Sequence, residues 1–108
     1  YDYCFLDTLY ETITTHLPQK LYAHHVAVQI SEYDQHNHTD FIKNLYEYLA
    51  CNHSINLMAK NLEIHRNTAN YRITRINELF DIPYEDQKEM TALELSLGLL
   101  RYISKSDH

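Results

Sequence analysis

The chain is short of turn formers: one glycine and two prolines in 108 residues. These residues supply the backbone angles of tight turns, so their scarcity argues against many short strands and for long helices joined briefly. Two cysteines, Cys4 and Cys51, lie too far apart in sequence to suggest a disulfide framework. No apolar run approaches the roughly 20 residues of a membrane span, and nothing in these 108 residues resembles a signal peptide. The simplest expectation is a reduced, cytoplasmic protein with no membrane contact. Also missing are a glycine-rich phosphate loop, a serine elbow and a carboxylate pair set in a recognisable motif, so neither an enzyme nor a cofactor is expected. No internal repeat or low-complexity tract stands out.

The length suits one domain, able to bury roughly two thirds of its unfolded surface. Tyrosine is abundant at ten residues while tryptophan is absent, so much of the aromatic mass carries hydroxyls suited to the wet edge of a core. The net charge of −6 argues, as a whole-chain number, against a polyanionic partner. Its distribution makes a DNA-reading face compatible with the chain, with weak nonspecific affinity expected of it alone. From Ser54 to Leu79 four cations, Lys60, Arg66, Arg72 and Arg75, stand against Glu63 and Glu78, leaving +2 there and −8 elsewhere. The chain opens on Tyr1-Asp2-Tyr3 without a methionine, which suggests a piece of a longer protein.

Hydrophobic spacing predicts an all-α domain of five to six helices. Leu6, Leu9, Tyr10, Ile13 and Leu17 give a first amphipathic helix, ended by Pro18. His24 to Tyr33 alternates Val26, Val28 and Ile30 like a strand, but with no second strand to pair with, a helix is the better reading, followed by a polar loop from Asp34 to His38. Thr39-Asp40 is expected to cap a helix that turns Phe41, Ile42, Leu45, Tyr48 and Leu49 inward. After the Asp81-Ile82-Pro83 break, Asp86 and Glu89 resemble a capping box opening a closing helix to about Ile103. Its leucines, with Met90 and Ile103, cover more than one face, so this helix is either central or paired with another subunit. The parts are then 1–38 as N-terminal support, 39–80 as a helix-turn-helix core and 81–108 as the closing helix.

The most informative stretch is Ser54 to Phe80. Ser54 is a good N-cap, and Ile55, Met58, Ala59 and Leu62 share one helix face, with small Ala59 where a crossing helix must come close. Ile64 plugs a turn, and a second helix begins near Arg66, capped by His65 or Asn67. It buries Ala69, Ile73, Ile76 and Leu79 or Phe80, and turns Asn67, Asn70, Tyr71, Thr74 and Arg75 outward. Arg can bond guanine bidentately, Asn can bond adenine, and Thr or Tyr can meet a phosphate or a thymine methyl. The expected major-groove helix is therefore about 66–80. Arg66, Asn67, Asn70, Tyr71, Thr74 and Arg75 are candidates for DNA contact, with Ser54, Lys60, His65 and Thr68 assigned to phosphates. Arg72 lies nearer the core edge, where a salt bridge competes with a phosphate contact.

The block from Tyr48-Leu49 through Ser54, Ala59, Leu62 and Ile64-His65-Arg66-Asn67-Thr68 to Tyr71-Arg72-Ile73 and Arg75-Ile76 resembles the C-terminal DNA-binding domain of PucR-type transcriptional regulators, which include purine-catabolism and sugar-diacid regulators. The local pattern is also similar to the Fis-type helix-turn-helix. The likeness reaches upstream to His24-His25 and Glu32-Tyr33-Asp34, and downstream to Asp81-Ile82 and the leucine-rich closing helix. Two positions depart from it: Ala69, where the family usually has a larger aliphatic residue, and His25, where proline is common. The resemblance implies double-stranded operator DNA as partner, regulatory domains upstream in the same chain and a transcriptional role.

Two further readings stand beside it. Eight histidines, among them His24-His25 and His36-x-His38, invite a metal site. Neighbouring histidines on a helix point about 100° apart, and two loop histidines lack a third ligand, so no metal is expected. The competing function is a protein-interaction or dimerisation module, with a vestigial helix-turn-helix and with the broad leucine face and the acidic body as its docking surface. A homodimer through the closing helix is expected on the same ground.

Overall fold

The computed structural model describes residues 24–106, together with positions 8, 9, 11 and 12. Among residues 24–106 there are five helices and no strand: α1 His25–Asn37, α2 Phe41–Ala50, α3 Ile55–Leu62, α4 Arg66–Leu79 and α5 Gln87–Ser106. The all-α expectation holds. The first amphipathic helix, Leu6 to Leu17, lies largely outside the described residues; its four described positions are helical.

In α1 the apparent strand alternation resolves as a helix face. Val26 and Ile30, four residues apart, are buried with Ala27, while Val28 is only half-buried. The helix runs on to Asn37, so the loop expected from Asp34 to His38 shrinks to a terminus at His38, which takes the left-handed conformation at φ 54°. Asp34 is the reason. Its carboxylate reaches out of α1 and caps the next helix: Oδ1 accepts from the Phe41 N–H and Oδ2 from the Ile42 N–H, both at 3.0 Å, and the Thr39 hydroxyl donates to Oδ1. Asp40 occupies the N-cap position of α2, but its side chain makes no capping bond. The cap expected from Thr39-Asp40 is thus supplied from the preceding helix. Burial raises the Asp34 carboxyl above its ordinary range, outweighing the bonds from Thr39, Ile42 and Phe41 that favour the anion.

Helix α5 packs on both α1 and α2. Met90, Leu93, Leu97 and Leu100 enter the main core with Ile30, Leu45, Met58 and Ile76, while Leu99 is fully buried outside that cluster. Its apolar breadth is therefore used within the chain, the central alternative of the two. Among the described large apolar residues of α5 only Leu95 is exposed, at 46 %, so the argument for a dimer through this helix loses its premise.

Polar ties fix the helices at their ends. Ser96 of α5, 1 % exposed, accepts from the His24 N–H at 2.7 Å and donates to the Ala92 carbonyl at 2.9 Å. The His24 ring caps α1 by accepting from the Val26 N–H through Nδ1, which leaves Nε2 to donate to Glu89 at 2.6 Å. Asp86 caps α5 by accepting from the N–H groups of Lys88 and Glu89, but Glu89 turns to His24 instead of closing the reciprocal box. The His24 and His25 rings stack at 4.4 Å rather than pointing apart, because His24 is an extended N-cap outside the helix. Glu47 of α2 joins two more elements, accepting from Asn61 of α3 at 3.0 Å and pairing with Arg101 of α5 at 3.3 Å.

Two outcomes follow. Asp34→Ala removes the α2 cap and should cost about 1–2 kcal/mol, read as a lower denaturation midpoint in urea. The Tyr84 hydroxyl donates to Asn77 at 2.7 Å, and burial, then the neighbouring Tyr48, pushes its pKa from 10.0 up to about 12. Between these values the folded chain keeps a proton that the unfolded chain releases, so stability falls as pH rises from about 10 to about 12. Thermal melts across that interval should show a shallower decline for Tyr84→Phe.

Candidate nucleic-acid interface

Helices α3 and α4 are joined by three residues, Glu63, Ile64 and His65. Ser54 starts α3 as expected, its hydroxyl accepting from the Leu57 N–H at 3.2 Å. Met58 and Ala59 are buried, and Ile55 and Leu62 pack against the core from partly buried positions. The helix ends on Glu63 at φ 57°, where the Ile64 N–H reaches back to the Ala59 carbonyl at 3.0 Å and the Glu63 N–H to Lys60 at 3.2 Å. This is the bonding of a left-handed helix terminus, with Ile64 packing on the core just beyond it. His65 then caps α4, its Nδ1 accepting from the Asn67 N–H at 3.0 Å. Of the two expected caps, His65 is the one used.

Helix α4 buries Ala69, Ile73 and Ile76, with Leu79 and Phe80 packed against the core at its end. Ala69 is 0 % exposed, so the small residue at this position lies fully inside. His25 is the first residue of α1, the position at which a helix accepts proline without losing a bond; the family's common proline and this histidine are therefore both compatible with the start.

The outward face of α4 presents Arg66, Asn67, Asn70, Tyr71 and Thr74, all exposed, with Tyr71 at 67 %. Thr68 and Arg75 are half-buried at the margins of this face, and Lys60 and His65 are exposed beside it on α3 and the turn. Ser54, half-buried, sits at the start of α3 and already uses its hydroxyl as an acceptor.

The basic island divides into engaged and free cations. Arg72 donates through Nη1 to Asn44 Oδ1 at 3.2 Å, so the salt bridge considered for it is a hydrogen bond to a neutral amide. Arg75 lies 3.7 Å from Glu78 one turn on. Lys60 and Arg66 have no side-chain bond or ion pair among the described residues, which makes Arg66 the unengaged guanidinium of α4. Asn44, 2 % exposed on α2, was not among the sequence candidates. Its position three residues after Phe41 and four before Tyr48 placed it on the inward stripe, where a polar residue must find a partner.

Among the described residues no group of three or more His, Cys, Asp or Glu side chains converges in a way that could hold a metal. No helix among them is long and apolar enough to cross a membrane. Cys51 is buried and accepts from Asn61 at 3.4 Å, and burial raises its thiol pKa, the opposite of what a nucleophile needs.

Two helices on one core, a three-residue turn, and a second helix with a polar outer face define a helix-turn-helix domain. The chain belongs to the PucR C-terminal helix-turn-helix domain family, whose model matches residues 41–99. That membership gives it a DNA-binding role in transcription regulation. It is 25 % identical over 71 residues to the DNA-binding transcriptional activator AdeR of Bacillus subtilis (strain 168), covering 66 % of this chain and 17 % of that protein. It is 37 % identical over 68 residues to the proline-responsive transcriptional activator PutR of the same organism, covering 63 % of this chain and 16 % of that protein. The chain thus spans about a sixth of the length of these relatives. No solved structure matches it.

The turn yields a prediction of its own. A residue with a Cβ pays roughly 1 kcal/mol to sit left-handed at Glu63, a conformation glycine adopts freely. The greater entropy of glycine in the unfolded chain offsets about 0.4–1 kcal/mol of this, so Glu63→Gly should stabilise by at most about 0.5 kcal/mol in urea denaturation.

Proposed function

We propose that the chain is the sequence-specific DNA-reading domain of a bacterial transcriptional regulator, with α4 lying in the major groove. The observation that carries this is the outer face of α4, where Arg66, Asn67, Asn70, Tyr71 and Thr74 stand exposed. The N-terminal turns of a recognition helix meet base edges, which assigns Arg66, Asn67 and Asn70 to bases, with Tyr71 and Thr74 following the groove. Arg75 contacts DNA from the margin once released from Glu78. Lys60 and Thr68 meet phosphates, His65 donates to a phosphate through the ring nitrogen its cap leaves free, and Ser54 contributes its hydroxyl proton.

The reading extends to the whole regulator. It works in the cytoplasm, carries regulatory domains upstream of 1–38, and binds operator DNA as a homodimer whose recognition helices address half-sites about 34 Å apart. In this arrangement 39–80 reads the operator while 1–38 and 81–108 support it. Since the apolar faces of α5 are largely covered within the chain, the dimer forms through another surface or another domain. The same coverage removes the leucine face from the protein-docking alternative and leaves it the acidic body alone.

Titrations at fixed salt test the assignment. Arg66→Ala and Asn70→Ala should each cost about 1–3 kcal/mol on the preferred site and little on random DNA. Lys60→Ala should weaken both and flatten the salt dependence by about one unit of log–log slope. All three positions are exposed, so the variants stay folded. The groove assignment fails if neither α4 variant changes the ratio of specific to nonspecific affinity. Saturation at one chain per palindromic site would remove the homodimer.

A further inference from the structure

The side chains facing outward on α4 can select bases only if the helix is held at a fixed angle and rotation. Apolar packing through Ala69, Ile73 and Ile76 supplies most of that hold, but such contacts are non-directional and tolerate small rotations of the helix. One bond from α4 to its support is directional and rests on a buried partner. Asn44, 2 % exposed in the middle of α2, accepts from Arg72 Nη1 at 3.2 Å. Its amide nitrogen donates to the Asp40 carbonyl at 2.5 Å, so the orientation of the amide is fixed from both ends. The turn of α2 that holds Asn44 is itself pinned, because Asp34 of α1 caps it at Phe41 and Ile42. Arg72 directly follows Tyr71, the exposed aromatic side chain of α4, and lies two residues after Asn70.

We propose that Asn44 is a positioning residue for DNA reading: it never touches DNA, and through the Arg72 guanidinium it sets the rotation of α4 that brings Arg66 and Asn70 to base edges. This rests on the proposed function above and adds a buried residue on a different helix to it. A buried polar pair of this kind contributes little net stability against an apolar replacement, so its value lies in fixing one arrangement among several of similar energy.

Two variants break the bond from opposite sides. Asn44→Leu replaces the amide by an apolar group of the same branched shape, and Arg72→Met removes the guanidinium at a half-buried position where folding is retained. The DNA is a duplex selected from a random pool by the unmodified chain, compared with the same duplex shuffled. For both variants the ratio of selected to shuffled affinity should fall about tenfold, the size of one lost base contact, with the salt dependence unchanged. Arg72→Lys keeps a cationic donor for the Asn44 amide, whose own bond to the Asp40 carbonyl is untouched, and should retain most of the ratio.

A lowered melting temperature with the ratio intact in both variants would make the pair merely structural and overturn the proposal. So would Arg72→Met weakening both duplexes alike while flattening the salt slope by about one unit, the signature of a phosphate contact. If the unmodified chain enriches no sequence from the pool, DNA reading itself fails, and this inference with it. Enrichment followed by an unchanged ratio in the variants would sink the positioning role alone.

Discussion

The three-residue turn between α3 and α4 is the constraint on which the rest of the site depends. With only Glu63, Ile64 and His65 between them, the two helices have almost no freedom to change their crossing, and each turn residue is committed. Glu63 reverses the chain at positive φ, Ile64 seals the junction against the core, and His65 caps the helix that follows. The buried faces of both helices then meet one core, in which Ala59 and Ala69 keep the bulk low. A larger loop would let α4 rotate, and its outward residues would lose their common direction.

A chain with one glycine must make its turns by other means, and this one does so at some energetic cost. His38, Asn52, His53 and Glu63 all take positive φ, each at roughly 1 kcal/mol for the residues with no local compensation. The offset comes from side chains that satisfy helix-end amides: His24 at α1, Asp34 at α2, Ser54 at α3, His65 at α4 and Asp86 at α5. Two of these five are histidines, which accept only through an unprotonated ring nitrogen. The same scarcity of glycine that made long helices the natural sequence reading therefore also shifts their ends onto unusual caps.

What could be read from the sequence follows how local each determinant is. The helix-turn-helix was legible because Ser54, Ala59, Ile64, His65 and the period of Ala69, Ile73 and Ile76 all act within about 25 residues of one another. Asn44 and Asp34 were not, since each works through a partner on another helix: Asp34 looked like loop because its capping target lies seven and eight residues ahead. The breadth of α5 was seen correctly, but periodicity alone does not say whether an apolar face meets the same chain or another. Exposure of Arg66, Asn67, Asn70, Tyr71 and Thr74 was legible from the helical period. Which of the basic side chains remain unengaged depended on Asn44 and Glu78 and needed the structure.

Charge decides how such a domain can work. Of the four cations in the basic island, two are engaged by Asn44 and Glu78, and the remaining chain is strongly acidic. Each phosphate neutralised contributes about 0.9 to the salt slope, so Lys60, the unengaged cation assigned to a phosphate, gives a slope near 1, whereas proteins making six to ten such contacts show far steeper dependence. On the proposed reading a single copy is then a weak binder of DNA in general, and its discrimination comes from geometry at the base edges. Weak nonspecific attraction leaves the protein free of most of the genome, but it also limits affinity for the correct site. Joining two copies restores affinity through effective concentration without adding cations, and the chain covers only about a sixth of its regulatory relatives. On the proposed reading, pairing raises occupancy of the operator while leaving the reading face untouched.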